Sequence, residues 1–261
     1  MGNPLVSDRW LGDDCAMEPT SHILLIAGSA EAHDIAAEIA QTSQRMQAIL
    51  RAPERSFGPL AVPSQIWQPA SVDEMKLFLI RHGITAICDA GHGFDSDVSN
   101  FASTAAAGLG LAYCRVLRPV WSVDPPAIRA ASVHAAAGLI LPGARVFAAT
   151  GRGTLSQYEP FIGEKLYLRQ NSPNARTVLP GFVEPVFGTP PYTCEQEMTL
   201  FKELAIDTMI CRNVGGGPSR PKLDAALEMG LRTIVIARPT PPPDACLLET
   251  AREAVNWLGT L

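Results

Sequence analysis

The chain has 261 residues, 47 % hydrophobic and 18 % charged, with a formal net charge of −5 and a pI near 5.6. The apolar share supports a sizeable core and argues against disorder. The acidic balance excludes the basic face that nucleic-acid binding requires, while leaving room for an anionic ligand held by local arginines.

Residues 1–21 mix Asp, Gly, Pro and Glu and read as a flexible tail without the apolar stretch of a signal peptide. No apolar run approaches the roughly 20 residues of a membrane helix, so a cytoplasmic protein is expected. Six cysteines and five histidines are scattered without a CxxC or HExxH. Neither a metal site nor a disulfide framework is expected, and Cys88, Cys114 and Cys211 read as buried thiols in a reducing compartment.

The apolar run His22–Ala27 predicts a buried strand. Gly28-Ser29-Ala30 turns it into a helix from Glu31 to about Thr42, and Gln47–Arg51 is the next strand. Ser71 and Glu74 form a capping box for a helix whose Val72, Met75, Phe78 and Leu79 share one face. Gly83 stops it. Ile84–Cys88 is a strand with Asp89 just beyond its end, followed by a helix at Ser96–Ala107 and a strand at Leu111–Val116. An Ala-rich helix is expected from about Pro126 to Leu141, ended by Pro142-Gly143.

Arg145–Ala149 opens the second half. The Pro- and Gly-rich stretch 169–191 reads as irregular structure with short strands. Thr193 and Gln196 form a second capping box for a helix to Leu204. Asp207–Cys211 and Arg232–Ala237 are strands, and between them Ser219 is expected to cap a helix ending at Met229.

The β-loop-α-β order recurs in both halves and specifies parallel sheets with helices on both faces. The expected architecture is α/β, with two Rossmann-like domains at 22–143 and 144–261. Ligands bind such sheets beyond the carboxyl ends of the strands. Four loops should therefore carry the chemistry: 28–31, 89–95, 150–154 and 212–217.

Each loop has a functional and a plain reading. Gly28–Glu31 can offer helix-start amides to a phosphate, or it is a tight turn. Asp89 and His92 can donate a proton or a hydrogen bond; otherwise Asp89 caps the next helix and His92 is a surface residue. Arg152, beside Thr150 and Gly151, can bind phosphate or carboxylate, or it is solvated. Gly215, Gly216 and Gly217 let another group approach the backbone, or they form a flexible loop. Lys222 opposes its helix dipole, a conflict that an anionic ligand would relieve. Arg115, Arg118 and Trp121 can hold acidic groups against a flat ring, or the tryptophan packs between domains.

Taken in order, several segments resemble the precorrin-6A reductase family. They are Ala27-Gly28-Ser29-Ala30-Glu31-Ala32, Asp89-Ala90-Gly91-His92-Gly93-Phe94, and Arg115 with Arg118-Pro119-Val120-Trp121. Later come Ala149-Thr150-Gly151-Arg152, Pro190-Pro191-Tyr192-Thr193, Cys211-Arg212-Asn213-Val214-Gly215-Gly216 and Pro221-Lys222-Leu223-Asp224-Ala225-Ala226. The similarity spans roughly residues 22–240. The family's DATHPFA has Gly91 and Gly93 here in place of Thr and Pro. In its TKNSGG, Arg212 replaces Lys and Val214 replaces Ser.

The resemblance implies NADPH-dependent reduction of a corrin-ring precursor in cobalamin biosynthesis, with cofactor and substrate in the cleft between the domains. It implies cofactor contacts at Gly28, Ser29, Ala30, Glu31, Thr150, Gly151 and Arg152, and at Arg55 and Ser56, with Arg55 facing the 2′-phosphate. Asp89 and His92 would line the reacting end. Arg118, Arg212, Asn213, Gly215, Gly216 and Lys222 would hold a small-molecule substrate bearing several carboxylates. The expected protein is a monomer without metal, membrane or nucleic-acid partners. Two alternatives remain open at this point. One is a diverged relative that binds a tetrapyrrole or nucleotide without turnover; the other is a Rossmann-like enzyme using a different cofactor.

Overall fold

A computed structural model describes residues 21–53, 58–170, 179–188 and 190–261. The expected tail and the pair Arg55 and Ser56 lie outside the described residues, apart from Ser21. The first half contains β1 (His22–Ala27), α1 (Ala30–Ile39), β2 (Arg45–Leu50), β3 (Ser64–Ile66), α2 (Val72–Arg81), β4 (Ala86–Ala90), α3 (Ser96–Leu109) and β5 (Ala112–Val116). Then come β6 (Ile128–Ala130), α4 (Val133–Ala137), β7 (Arg145–Ala149), a 3-10 helix at Arg152–Tyr158, β8 (Lys165–Gln170) and β9 (Val183–Phe187). The chain closes with α5 (Cys194–Glu203), β10 (Thr208–Arg212), α6 (Pro221–Glu228), β11 (Arg232–Ile236), β12 (Cys246–Leu248) and α7 (Ala251–Leu258).

These strands form two six-stranded sheets, β12-β5-β4-β1-β2-β3 and β6-β11-β10-β7-β8-β9, with every neighbouring pair parallel. The two-residue period of a strand sorts the core. Ile23, Leu25 and Ala27 face α1 and α7, whereas Leu24 and Ile26 face α2 and α3. In the second sheet, Val146 and Ala148 face α4, and Phe147 packs with Phe201 of α5 and Leu223 of α6. Each sheet is covered on both faces, which a purely parallel sheet requires.

The two sheets have one plan. In each, the first strand of its half is central, followed outward by the second and third on one side and the fourth and fifth on the other. The sixth strand is exchanged: β12, from the C-terminus, pairs with β5, while β6, which precedes β7, pairs with β11. A single cut at Gly143 therefore does not separate the sheets, because β6 and α4 belong with the second and β12 and α7 with the first.

The expected helix from Pro126 to Leu141 is corrected accordingly. Ile128–Ala130 gives its backbone to the β11 ladder, and Ser132 starts a helix of only five residues by accepting from the Ala135 amide. Asp89 also moves: it lies inside β4, and it does not cap α3. Ser219 does not cap α6, whose N-cap position is Arg220 followed by Pro221. Ser71 accepts from the Glu74 amide as expected, but Glu74 accepts from Ala70 and not from Ser71.

At α5 both halves of the capping box are present: Thr193 Oγ1 accepts from the Gln196 amide and Gln196 Oε1 from the Thr193 amide. Thr193→Ala is expected to cost about 1 kcal/mol, a fall in Tm of about 2–4 °C for a chain of this size. A thermal melt with unchanged Tm would contradict that.

Candidate active site

Because all strands in a sheet run the same way, its carboxyl-end loops gather at one edge. Here the two edges meet across a cleft of about 530 Å³. Its first-half walls are the turn Gly28–Glu31 after β1, the loop Gly91–Gly93 after β4, and Val116–Arg118 at the end of β5. Val214, Pro218, Ser219 and the Pro190-Pro191 pair close it from the second half. At Gly28 a Cβ would sit 2.8 Å from the His92 backbone nitrogen, so only glycine lets the two first-half loops pack together.

The loop after β4 hangs on a buried ion pair. Asp89 is wholly buried and Arg115 nearly so. Arg115 Nη1 donates to Asp89 Oδ1 at 2.7 Å and to the Gly91 carbonyl, and Nη2 donates to the His92 carbonyl. Asp89 also accepts from the Gly91 amide at 3.0 Å and from the Tyr113 hydroxyl at 2.8 Å. Both oxygens carry hydrogen bonds, so Asp89 holds the loop in place.

His92 faces the cleft in a defined tautomer. The Phe94 amide donates to its Nδ1 at 3.2 Å, which leaves the proton on Nε2. Nε2 has no partner among the described residues. Burial, reinforced by Arg212, Arg115 and Arg118 against the opposing pull of Asp95, holds the imidazole down at about 4. At neutral pH His92 is therefore a neutral hydrogen-bond donor.

The α1 N-terminus opens onto the same cleft. Ser29 occupies the N-cap position but caps nothing, since its hydroxyl donates to the Ala90 carbonyl. In that first turn the Glu31 amide is held by its own carboxylate, and Ser29 supplies no side-chain cap. Glu31 sits in that turn. Burial pushes its carboxyl up, but the Arg118 hydrogen bonds, its own amide and the Ser29 hydroxyl outweigh this and lower it. Arg118 grips Glu31 bidentately, through Nε to Oε1 and through Nη2 to Oε2 at 2.9 Å.

On the second-half side, Arg212 ends β10 with its guanidinium over the Phe94 ring, 5.1 Å from the centroid. It makes no ion pair or hydrogen bond among the described residues, and its Nε is buried without a partner. Lys222 likewise has no acidic partner within ion-pair distance among the described residues; its Nζ donates to the Ser219 carbonyl at 2.5 Å. Burial lowers both groups.

The sequence family model described as precorrin-6x reductase CbiJ/CobK matches residues 22–259. The chain belongs to this reductase family. A precorrin-6A reductase from Mycobacterium tuberculosis is 28 % identical over 243 residues, covering 92 % of this chain and 98 % of that protein. One from Rhodobacter capsulatus is 28 % identical, covering 92 % and 96 %. A solved CobK precorrin-6A reductase superposes with a TM-score of 0.81 at 25 % identity, covering 92 % of this chain and 97 % of that one. The precorrin-6x reductases are oxidoreductases of cobalamin biosynthesis that draw hydride from NADPH. Among the described residues no helix is long and apolar enough to cross a membrane.

Set in this reductase frame, the residues expected at the site divide into two groups. Gly28, Ser29, Ala30, Glu31, His92 and Arg118 share the cleft wall. Thr150, Gly151 and Arg152 do not line it: Thr150 is buried against the Tyr158 hydroxyl, and Arg152 donates to Gln170 Oε1. Asn213 is engaged by the neighbouring chain segment. Its Oδ1 accepts from the Trp121 amide and its Nδ2 donates to the Trp121 carbonyl, both at 2.9 Å. Gly215 and Gly216 are also spent on packing. A Cβ on Gly215 would lie 2.3 Å from the Pro119 carbonyl oxygen, and one on Gly216 would lie 2.4 Å from Arg118 Cδ. Arg238, unremarked in the sequence, donates to the Arg118 carbonyl.

Removing one member of a fully buried pair strands the other charge. Arg115→Met is expected to cost about 3–5 kcal/mol in urea unfolding; a loss no larger than that of a surface substitution would contradict the positioning role. His92 gives a pH signature. Its folded value lies below the ordinary 6.5, so the unfolded chain binds more protons as pH falls from 6.5 towards 4, and stability drops over that window. His92→Gln should flatten the wild-type decline in Tm between pH 6.5 and 5.5. Parallel curves for the two proteins would refute the neutral assignment.

Proposed function

We propose that this chain reduces precorrin-6A, or its cobalt form, in the cleft between its two sheets, with NADPH on the first-sheet wall and the macrocycle reaching the second-sheet wall. The observation that carries this reading is the convergence of the α1 N-terminal turn and the His92 donor on one opening, with the Arg212 guanidinium over the neighbouring Phe94 ring. The donor set suits a dinucleotide phosphate, because Ser29 leaves the α1 N-terminus without a side-chain cap and Arg118 pairs with the Glu31 carboxylate beside it. When bound, NADPH supplies the hydride.

The protein's own groups orient and compensate charge. Gly28, Ser29 and Ala30 form the phosphate turn. His92 Nε2–H offers a hydrogen bond to a carbonyl or carboxylate at the reacting end, and Arg212 offers a fork to an acidic side chain of the macrocycle. Asp89 is saturated and His92 is neutral, so the proton that accompanies the hydride is assigned to water. This reading places a monomeric enzyme in the cytoplasm, acting on a carboxylate-rich small molecule and not on nucleic acid.

The decisive experiment mixes purified protein with NADPH and precorrin-6A and follows NADPH absorbance. Oxidation that depends on the macrocycle is expected, with no acidic limb near pH 6.5 in kcat. Arg212→Gln should raise the KM for the macrocycle about tenfold, the scale of one hydrogen bond to a charged group. Protein that binds both ligands yet never oxidises NADPH would overturn the assignment in favour of a binding protein.

A further inference from the structure

The shared plan of the two sheets allows their arginines to be compared position by position. Leu117, the residue after β5, donates its amide to Leu248 at the end of β12 at 2.8 Å. Ala237, the residue after β11, donates to Ala130 at the end of β6, also at 2.8 Å. Leu117 and Ala237 are thus equivalent, and each is followed by Arg-Pro: Arg118-Pro119 and Arg238-Pro239.

The two arginines have different fates. Arg118 is consumed by Glu31, the fourth residue past the end of β1. The fourth residue past the end of β7 is Gly153, which offers no acid. Arg238 instead reaches into the first half. Its Nη1 donates to the Arg118 carbonyl at 2.7 Å, and its stem lies where a Cβ on Gly93 would meet Cδ at 3.0 Å. Gly93 stands where the family pattern has proline, and the smaller residue makes room for this side chain.

Arg238 has no ion pair among the described residues, and its Nε and Nη2 find no acceptor there. It is half-buried beside the cleft loop that carries His92, with Arg115 as a further positive neighbour. A cation so placed favours a counter-charge, and the described residues do not supply one. We infer that Arg238 binds a carboxylate of the macrocycle, taking from the substrate the acid that Glu31 gives to Arg118. This rests on the reductase reading above. A nucleotide phosphate has the same chemistry, but the α1 N-terminus on the opposite wall already serves it.

The test titrates the full chain separately with precorrin-6A and with NADPH, for wild type, Arg238→Gln and Arg238→Lys. Arg238→Gln should weaken macrocycle binding about tenfold or more and leave NADPH binding unchanged. Arg238→Lys, which keeps the charge but not the fork, should recover part of the loss at low salt and less at high salt. Macrocycle binding unchanged in both variants overturns the inference, as does weakened NADPH binding with intact macrocycle binding. A wild type that turns over NADPH while Arg238→Gln matches it in macrocycle binding sinks only the Arg238 role. A wild type that binds the macrocycle but never oxidises NADPH sinks the reductase reading instead.

Discussion

Everything at the site depends on how the segment 117–121 is pressed against the loop 212–217. The contact is backbone-close: the Gly216 amide donates to the Pro119 carbonyl, and Gly215 has no room for a Cβ. Asn213 satisfies both the amide and the carbonyl of Trp121, whose indole nitrogen donates to the Gly216 carbonyl at 2.7 Å. Each bond has a modest net value, about 0.5–1.5 kcal/mol. Their weight comes from direction. An apolar contact tolerates sliding, whereas a reciprocal amide pair fixes one register, and that register sets the two carboxyl edges face to face.

Electrostatics then sorts the arginines by role. Arg115 is buried, ion-paired and bonded to three carbonyls, so it is part of the frame. Arg169 is similarly inside, paired with Glu197 at 2.7 Å and lying over the Phe147 and Tyr192 rings. Arg212, Lys222 and Arg238 are the contrast: each is partly desolvated, and among the described residues none has an acid at ion-pair distance. Burying charge without compensation is unfavourable, so the cost is tolerable when a polyanionic ligand spends part of the cycle in place. The chain's net charge of −5 makes this local excess of cations more telling, since composition alone would repel such a substrate.

What the sequence revealed follows from the range of the interactions involved. The run His22–Ala27, the turn at Gly28 and the capping box at Thr193 are local signals, and local physics forms them. The exchange of β6 and β12 is not local. Ile128–Ala130 lies in an Ala-rich stretch with good helix propensity, and only pairing with β11, about a hundred residues later, draws it into a ladder as the edge strand of its sheet. The same limit applied to Asp89 and Asn213, whose residue types suit a site equally well. Their partners, Arg115 and Trp121, lie in other segments, and only the fold shows that their side chains are engaged there. Arg238 carried no motif at all; its equivalence to Arg118 appears only once both sheets can be superimposed strand for strand.

The strand exchange has a mechanical consequence for the cleft. The chain crosses between the sheets twice, from Val116 to Ile128 and from Ile236 to Cys246. Both crossings are rich in proline, with Pro119, Pro125 and Pro126 in one and Pro239, Pro241, Pro242 and Pro243 in the other. Proline fixes φ and stiffens a connector. A hinge opening would also have to pull on β12 or β6, each hydrogen-bonded into the opposite half. Two stiff straps anchored by ladder bonds oppose rigid-body opening far more than a single flexible linker does. The cleft is therefore pre-formed, and adjustment to two ligands falls to the loops at its rim. A reaction that carries hydride between two separate ligands benefits from such a frame, because donor and acceptor must be held at near-contact distance.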